Sequence, residues 1–142
     1  MAPSSLGVAI VVPCYNEAAR LRIAALSELA RVAGCDVVAV DDGSTDATAA
    51  LLAEAAAADA RVHVVQRPRN RGKGEAVRQG LLWSLAAGYD VVGFCDADFA
   101  TPATEVARLI DACHQGHVVA LGSRVGLLGH QIERSLPRHY TG

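Results

Sequence analysis

The stretch VVAVDDGSTD, residues 37–46, decides the fold of this chain. Its first four residues are apolar, and two adjacent aspartates and a Gly-Ser-Thr turn follow at once. A short, continuous apolar run bounded by turn residues is typical of a strand that is buried on both faces. The Ser/Thr/Asp cluster after it is a helix-start signal, so the stretch indicates a strand that leads directly into a helix.

Similar apolar runs recur along the chain and alternate with helical patterns. The runs predict strands over residues 8–12, 37–40, 62–65, 91–95 and 118–121. The segments between them predict helices over Glu17–Ala33, Asp46–Ala58, Lys73–Ala87 and Pro102–Gln115. Thr101 is the expected cap of the last helix, with Pro102 at its first position. The alternation predicts an α/β fold, a three-layer α/β/α sandwich around a mostly parallel sheet.

Length and composition agree with one domain over residues 1–142, of which 51% are hydrophobic and 20% charged. A net charge of −2 gives no reason to expect a nucleic-acid partner. No apolar run reaches the roughly 18 residues of a membrane helix. The run LGVAIVV leads straight into PCYNE and is interpreted as a strand rather than a signal peptide. We therefore expect a cytoplasmic protein.

The four cysteines are predicted to be free, buried thiols in a reducing compartment. No two of them form a CxxC pair, and three lie in or beside apolar segments. They are Cys14, Cys35, Cys95 and Cys113.

A polar cluster follows each of the first four predicted strands: PCYNE, DDGSTD, RPRNRGKG and DADFATP. Because ligands bind at the carboxyl ends of parallel strands, we expect these clusters to share one edge of the sheet. Asp96 and Asp98 are two residues apart and face the same side of an extended segment. Their hard oxygen ligands suit Mg²⁺ or Mn²⁺. The Asn-Arg-Gly-Lys-Gly loop, which opens a helix, suits a phosphate.

Each cluster also has a simpler explanation as a turn, a helix cap or a solvated loop. Their joint occurrence at successive strand ends is what favours a ligand site. A dinucleotide-binding oxidoreductase would carry G-x-G-x-x-G after the first strand, where this chain has PCYNEA. A phospho-acceptor signalling domain would leave PCYNE and the basic loop without a role. A binding module without catalytic activity stays open as an alternative.

Five motifs in this order carry a family resemblance: VVPCYNEAARL, VDDGSTDAT, NRGKGEAVRQGL, DADFATP and GSR. Together they resemble the nucleotide-sugar-binding half of a family 2 glycosyltransferase with a GT-A fold. The branch that they resemble most is that of the polyprenyl-phosphate and dolichyl-phosphate glucosyltransferases and mannose synthases. The resemblance covers Val8 to about Arg138. It implies a metal-dependent, inverting transfer of a sugar from a nucleoside-diphosphate donor to a polyprenyl phosphate.

The resemblance implies roles for the residues that would hold the nucleoside. Pro13, Tyr15 and Glu17 match the loop around the base and ribose, with Tyr15 placed to lie against the base. Asp42 matches the acid that hydrogen-bonds the base, and Asp41 supports it.

A second set of residues matches the phosphate and metal positions of that family. Lys73, with Arg71 beside it, matches the basic residue at the diphosphate. Asp96 and Asp98 match the metal motif, and Asp98 is the expected direct ligand. Arg124, in GSR, matches a position that belongs to the acceptor phosphate and is counted with Asp98 as catalytic.

The chain departs from the family pattern in two places. Ala100 stands where mannose synthases have a glutamine ligand, which favours a glucosyl donor such as UDP-glucose. Family members continue well past Arg138, so we expect a truncated chain whose acceptor part is largely missing and which alone is a poor catalyst. An unclosed sheet edge would permit homo-oligomers. The missing part would bring the protein to the cytoplasmic face of a membrane.

Overall fold

The computed structural model describes residues 6–123. The strands are β1 (Val8–Cys14), β2 (Asp36–Asp41), β3 (Val62–Gln66) and β4 (Val91–Phe94). The helices are α1 (Ile23–Ala33), α2 (Thr48–Ala58), α3 (Lys73–Ala86) and α4 (Ala103–His114). Strands and helices alternate along the chain, which confirms the predicted α/β class.

The four strands form one sheet in the order β3-β2-β1-β4, and every neighbouring pair is parallel. β1 is central, and all seven of its residues are buried. Its register places Val11 opposite Val38 on one side and opposite Phe94 on the other. Because the pairs are parallel, the carboxyl ends of all four strands lie at the same edge of the sheet.

Helices cover both faces of the sheet, which confirms the three-layer arrangement. Residues from α1, α2 and α4 join the larger core cluster on one face, including Leu26, Leu52 and Ile110. The other face carries a smaller cluster in which Ala76 of α3 packs against Val11 and other strand residues.

Gly80 brings α3 unusually close to the sheet. A Cβ atom at this position would lie 2.4 Å from Cγ1 of Val11 and 2.9 Å from Cγ2 of Val40. Only a residue without a side chain fits this approach. The close packing fixes α3, whose first residue, Lys73, stands near the carboxyl edge of the sheet.

The start of α1 corrects the prediction that this helix begins at Glu17. Glu17 starts a turn instead, since its carbonyl accepts the N–H groups of Arg20 (2.8 Å) and Leu21 (2.7 Å). The N–H groups of Glu17 and Ala18 are bound by the side chains of Thr48, the first residue of α2, and of Asp46 in the loop before it, which keeps this segment irregular. The helix itself begins at Ile23.

The predicted fifth strand over residues 118–121 is wrong. This segment has no regular structure, and Val118 and Leu121 are 97% and 84% exposed. A strand needs a neighbour that takes its backbone hydrogen bonds, and among residues 6–123 no strand pairs with it. Within the same residues, no helix combines the length and the apolar character needed to cross a bilayer.

Candidate functional site

A cleft of about 260 Å³ opens at the carboxyl edge of the sheet. Five residues that the sequence singled out line it: Pro13, Tyr15, Glu17, Asp42 and Lys73. The sequence did not single out the other three lining residues, Cys14, Asn70 and Ala76. The predicted convergence of the loops after β1, β2 and β3 is therefore observed in the structure.

The loop after β1 presents an aromatic ring to this cleft. Tyr15 is 44% exposed, so its ring is accessible to a flat ligand. Glu17 is held differently, because its carboxylate pairs with Arg20 at 3.0 Å.

Side chains fasten the β1–α1 loop to the β2–α2 loop. Asn16 has a left-handed backbone with a φ of 47°, and its side-chain oxygen accepts the N–H of Thr45 at 2.8 Å. In the opposite direction, three N–H groups of the first loop donate to side chains of the second loop and of the first residue of α2. These bonds run from Asn16 to Ser44 (3.0 Å), from Glu17 to Thr48 (2.9 Å) and from Ala18 to Asp46 (3.2 Å).

Thr48 and Asp46 stabilise this connection from the helix side. Thr48 is fully buried, and its hydroxyl donates to Oδ1 of Asp46 at 2.5 Å. This bond is the largest of the causes that lower the pKa of Asp46. Asp46 also accepts the N–H of Thr48 at 2.9 Å, but the N-cap residue of α2 is Ala47, so the predicted Ser/Thr/Asp cap is displaced by one position.

Asp42 anchors the β3–α3 loop. Its side chain is 3% exposed and accepts Nη1 of Arg67 at 2.5 Å. It also accepts the backbone N–H of Gly72 at 2.9 Å and that of Arg71 at 3.2 Å. The neighbouring Asp41 has a separate task, since its Oδ1 accepts the N–H of Ser44 at 3.1 Å. Any contact of Asp42 with a base would be made in addition to these bonds, and that role stays a prediction.

Gly43 is the point where two loops touch. Its φ is 69°, and a Cβ atom there would lie 2.5 Å from the backbone of Arg69. A left-handed backbone and a crowded neighbour both call for glycine. The β2–α2 turn and the β3–α3 loop are therefore packed directly together beside the cleft.

Lys73 and Asp96 meet at the rim of the cleft. The Nζ atom of Lys73 lies 2.5 Å from Oδ1 of Asp96, and the two side chains are 59% and 37% exposed. Asp98 accepts the N–H of Ala100 at 3.0 Å. The basic and acidic motifs that the sequence placed after β3 and β4 are thus brought into contact.

Asp96 and Asp98 lie in a turn after β4, not in the predicted extended segment, since the carbonyl of Asp96 accepts the N–H of Phe99 at 3.1 Å. Their carboxylates would suit a divalent cation that a ligand helps to hold. Within residues 6–123, no group of three or more His, Cys, Asp or Glu side chains is arranged to hold a metal ion. Asp96 and Asp98 supply two carboxylates, and Mg²⁺ is commonly bound by one or two carboxylates together with substrate phosphates. The residues therefore suit a metal whose remaining ligands come from a diphosphate.

Arg71 and Arg124, which the sequence predicts to bind phosphates, are not among the described residues that line the cleft. Arg71 is exposed in the loop before α3, and its backbone N–H binds Asp42. Arg124 lies outside the described residues, so its role at an acceptor phosphate stays a prediction.

The four cysteines are free, as predicted, but only Cys14 and Cys35 are buried, whereas Cys95 and Cys113 are half-buried. Burial raises the pKa of Cys14 and of Cys95 to about 12. Both thiols are therefore protonated at neutral pH, although Cys14 lines the cleft and Cys95 precedes Asp96. They do not supply a nucleophile.

The sequence did not single out Arg67 or Asn70, which both belong to the basic loop. Arg67 pairs with the buried carboxylate, and Asn70 lines the cleft and accepts the N–H of Gly72 at 2.8 Å. The composition of the loop marked it as a place for a phosphate. Nothing in its spacing indicates which arginine turns inward.

Comparison with known proteins gives a consistent result. The family model described as Glycosyl transferase family 2 matches residues 9–140. Polyprenol monophosphomannose synthase from Mycolicibacterium smegmatis is 39% identical over an alignment that covers 81% of this chain and 44% of that protein. Dolichyl-phosphate beta-glucosyltransferase from Saccharomyces cerevisiae is 32% identical, covering 93% of this chain and 46% of that protein. The chain thus spans slightly less than half the length of these relatives.

A solved structure shares the fold. It is a mannosyltransferase from Pyrobaculum calidifontis in complex with GDP-Man and Mn²⁺. The match has a TM-score of 0.60 and 27% identity, and it covers 76% of this chain and 32% of that one. Together with the family match over nearly the whole chain, this confirms the resemblance seen in the motifs. The chain belongs to glycosyl transferase family 2.

Proposed function

We propose that this chain is the nucleotide-sugar-binding part of a metal-dependent glycosyltransferase that transfers a hexose to a polyprenyl phosphate. The observation that supports this most strongly is the cleft at the carboxyl edge, where five predicted residues meet beside the Lys73–Asp96 pair. The names of the two relatives, which are transferases acting on polyprenol or dolichyl phosphate, support the acceptor class.

The residues of the cleft have complementary tasks toward a nucleoside-diphosphate sugar. Tyr15 offers an aromatic ring against the base, and Asn70 offers a polar side chain beside it. Lys73 and Arg71 would supply the cations that bind the diphosphate. Asp96 and Asp98 would hold Mg²⁺ or Mn²⁺. Bound there, the metal would neutralise the charge that develops on the departing diphosphate.

The proposed transfer is a single displacement. An oxygen of the acceptor phosphate forms a bond to the anomeric carbon, and the bond from that carbon to the donor phosphate breaks. The nucleoside diphosphate leaves with the electron pair, and the configuration at carbon inverts. A monoalkyl phosphate is largely dianionic at neutral pH, because its second pKa is about 6, so it needs no general base.

The acidic residues that the structure describes after Asp98 are consistent with a transfer that uses no general base. Glu105 and Asp111 both lie on α4, and Glu105 is paired with Arg108 at 3.0 Å. Cations would be needed to bind the acceptor phosphate instead, and Arg124 is the first choice. A lipid acceptor would bring the protein to the cytoplasmic face of a membrane.

We propose UDP-glucose as the first donor to test. The supporting observation is Ala100, which stands where a glutamine ligand is expected in mannose synthases. The two relatives carry names for mannose and for glucose transfer, so GDP-mannose is the necessary comparison.

Calorimetric titration tests the donor site. UDP and GDP are titrated into the chain with Mn²⁺ and then with a chelator, and Asp98→Ala should remove most of the metal-dependent affinity. Asp111→Ala is the control, since it removes an exposed carboxylate from α4, away from the rim. Equal affinity with and without metal would contradict the metal role.

Turnover is tested with the full-length protein that contains this chain. Labelled UDP-glucose or GDP-mannose is offered with a short polyprenyl phosphate or a free oligosaccharide. Transfer to the lipid supports the proposal, and transfer to the oligosaccharide alone contradicts it. Tight nucleotide binding without any transfer would favour the second candidate, a binding module that does not catalyse.

A further inference from the structure

The contact between Lys73 and Asp96 links the basic loop, which is expected to bind a diphosphate, to the aspartate motif, which is expected to bind a metal. Lys73 is the first residue of α3, and Asp96 follows β4, so the ion pair joins loops from different parts of the sheet. The Nζ atom of Lys73 lies 2.5 Å from Oδ1 of Asp96, so the two charged groups are in direct contact. The ammonium group therefore lies against the carboxylate that a metal would coordinate.

A metal ion and this ammonium group would compete for one carboxylate. Two cations beside the same carboxylate repel each other, so the ammonium group would lower the affinity of Asp96 for a metal. A diphosphate changes the balance, because its negative oxygens can bind the metal and the ammonium group together. The competition is then removed by the same ligand that completes the metal site.

We propose that Lys73 makes metal binding at Asp96 dependent on the nucleotide. Without a diphosphate the lysine keeps the metal affinity low, and with one it turns to the phosphate oxygens and releases Asp96. This inference rests on the proposed donor site and adds an order of events to it. The nucleotide and the metal bind cooperatively, and Lys73 carries part of that coupling.

Linkage makes the coupling measurable from either side. If the nucleotide raises the affinity for the metal by some factor, the metal raises the affinity for the nucleotide by the same factor. The lysine charge repels the metal and attracts the diphosphate, so its removal should have opposite effects on the two ligands. It should tighten the binding of Mn²⁺ alone and weaken the binding of UDP. A residue with a purely structural role would weaken both.

The experiment is a titration of Mn²⁺ followed by electron paramagnetic resonance, with and without saturating UDP or GDP. Lys73→Met should bind Mn²⁺ alone about fivefold more tightly than the unmodified chain, the factor that corresponds to an exposed ion pair worth about 1 kcal/mol. With saturating UDP, the variant should bind Mn²⁺ no more tightly than the unmodified chain. The factor by which UDP raises the Mn²⁺ affinity should therefore be smaller in the variant. UDP alone should bind the variant more weakly.

Arg78→Met is the matched control. Arg78 lies on the same helix, its side chain is also 59% exposed, and its Nε lies 2.8 Å from a carboxylate oxygen of Glu75. Its removal should leave the Mn²⁺ affinity unchanged. In the Asp96→Asn background, Lys73→Met should lose its effect on Mn²⁺, because the contested carboxylate is gone.

The outcomes separate this inference from the donor-site proposal. If the unmodified chain binds neither UDP nor GDP with Mn²⁺, the donor site itself is wrong. If it binds UDP with Mn²⁺ but Lys73→Met binds Mn²⁺ alone no more tightly, the donor site stands and the competition by Lys73 is wrong. Equal tightening in Arg78→Met would reduce the effect to general surface charge and also overturn the inference.

Discussion

The Nη1 atom of Arg67 lies 2.5 Å from Oδ1 of Asp42, and the two side chains are only 10% and 3% exposed. Arg67 follows β3 and Asp42 follows β2, so the pair joins the ends of two neighbouring strands. Asp42 also binds backbone N–H groups of the loop before α3. One buried ion pair therefore holds a wall of the cleft in position.

Replacing Arg67 by methionine should destabilise the chain strongly, because Asp42 would keep a buried charge without its cation. We expect the free energy of unfolding to fall by about 3–5 kcal/mol. Urea unfolding followed by circular dichroism measures the loss. Arg69→Met, which changes an exposed arginine of the same loop, should stay within about 0.5 kcal/mol. Similar losses in the two variants would contradict the structural role of the buried pair.

Gly43→Ala should be more harmful than Gly34→Ala, although both glycines have left-handed backbones with φ of 69° and 64°. The left-handed conformation costs about 1–2 kcal/mol in either variant. Only at Gly43 would the new methyl group meet backbone atoms of Arg69 at 2.5 Å, whereas nothing lies within 4 Å at Gly34. Overpacking should add at least about 1 kcal/mol at Gly43. Chemical unfolding of both variants gives the difference, and equal values would show that the loops are not in contact.

Tyr15→Ala should weaken the binding of UDP or GDP in the presence of Mn²⁺ by about 1–2 kcal/mol, the scale of a lost aromatic contact. The reason is the exposed ring at the cleft. Calorimetry measures the change, and Tyr15→Phe, which keeps the ring, serves as the control. An affinity that is unchanged in the alanine variant would place the base elsewhere.

Alkaline pH should destabilise the fold through its buried thiols. Burial raises the pKa of Cys14, Cys35 and Cys95 from 9.0 to about 12. The folded state therefore favours the protonated thiols, and the unfolded state releases their protons more readily. Their contribution to stability is complete below about pH 9 and is lost as the pH rises toward about 12. Urea unfolding between about pH 8 and about pH 11 measures this slope, which should be shallower in Cys95→Ala.

The main architecture could be predicted because its signals are local. Continuous apolar runs gave the positions of β1 to β4 to within two residues at each end, and turn residues separated them from the helices. The failure at residues 118–121 has a physical cause. The run is apolar and β-branched like the others, but a strand is completed by a neighbour, and no local pattern tells whether that neighbour is present.

The candidate site was predictable in outline and not in detail. Successive polar strand ends indicated one shared edge, and five of the expected residues line one cleft there. The partner of Asp42 could not be found in this way, because Arg67 stands among several arginines of equal appearance. Its inward orientation depends on a carboxylate that is buried 25 positions earlier. The start of α1 was likewise misplaced, since a contact with Thr48 at the start of α2 overrides the local helical pattern at Glu17.

The bonds that fasten the loops to one another also bear on the kinetics of ligand capture. Side chains tie the β1–α1 loop to the β2–α2 loop, and Asp42 ties the end of β2 to the β3–α3 loop. These three loops need no folding when a nucleotide arrives. The observed association rate should therefore rise linearly with nucleotide concentration, without the plateau that a slow closing step would impose. Discrimination between nucleotides would then be expressed in how long each one stays bound.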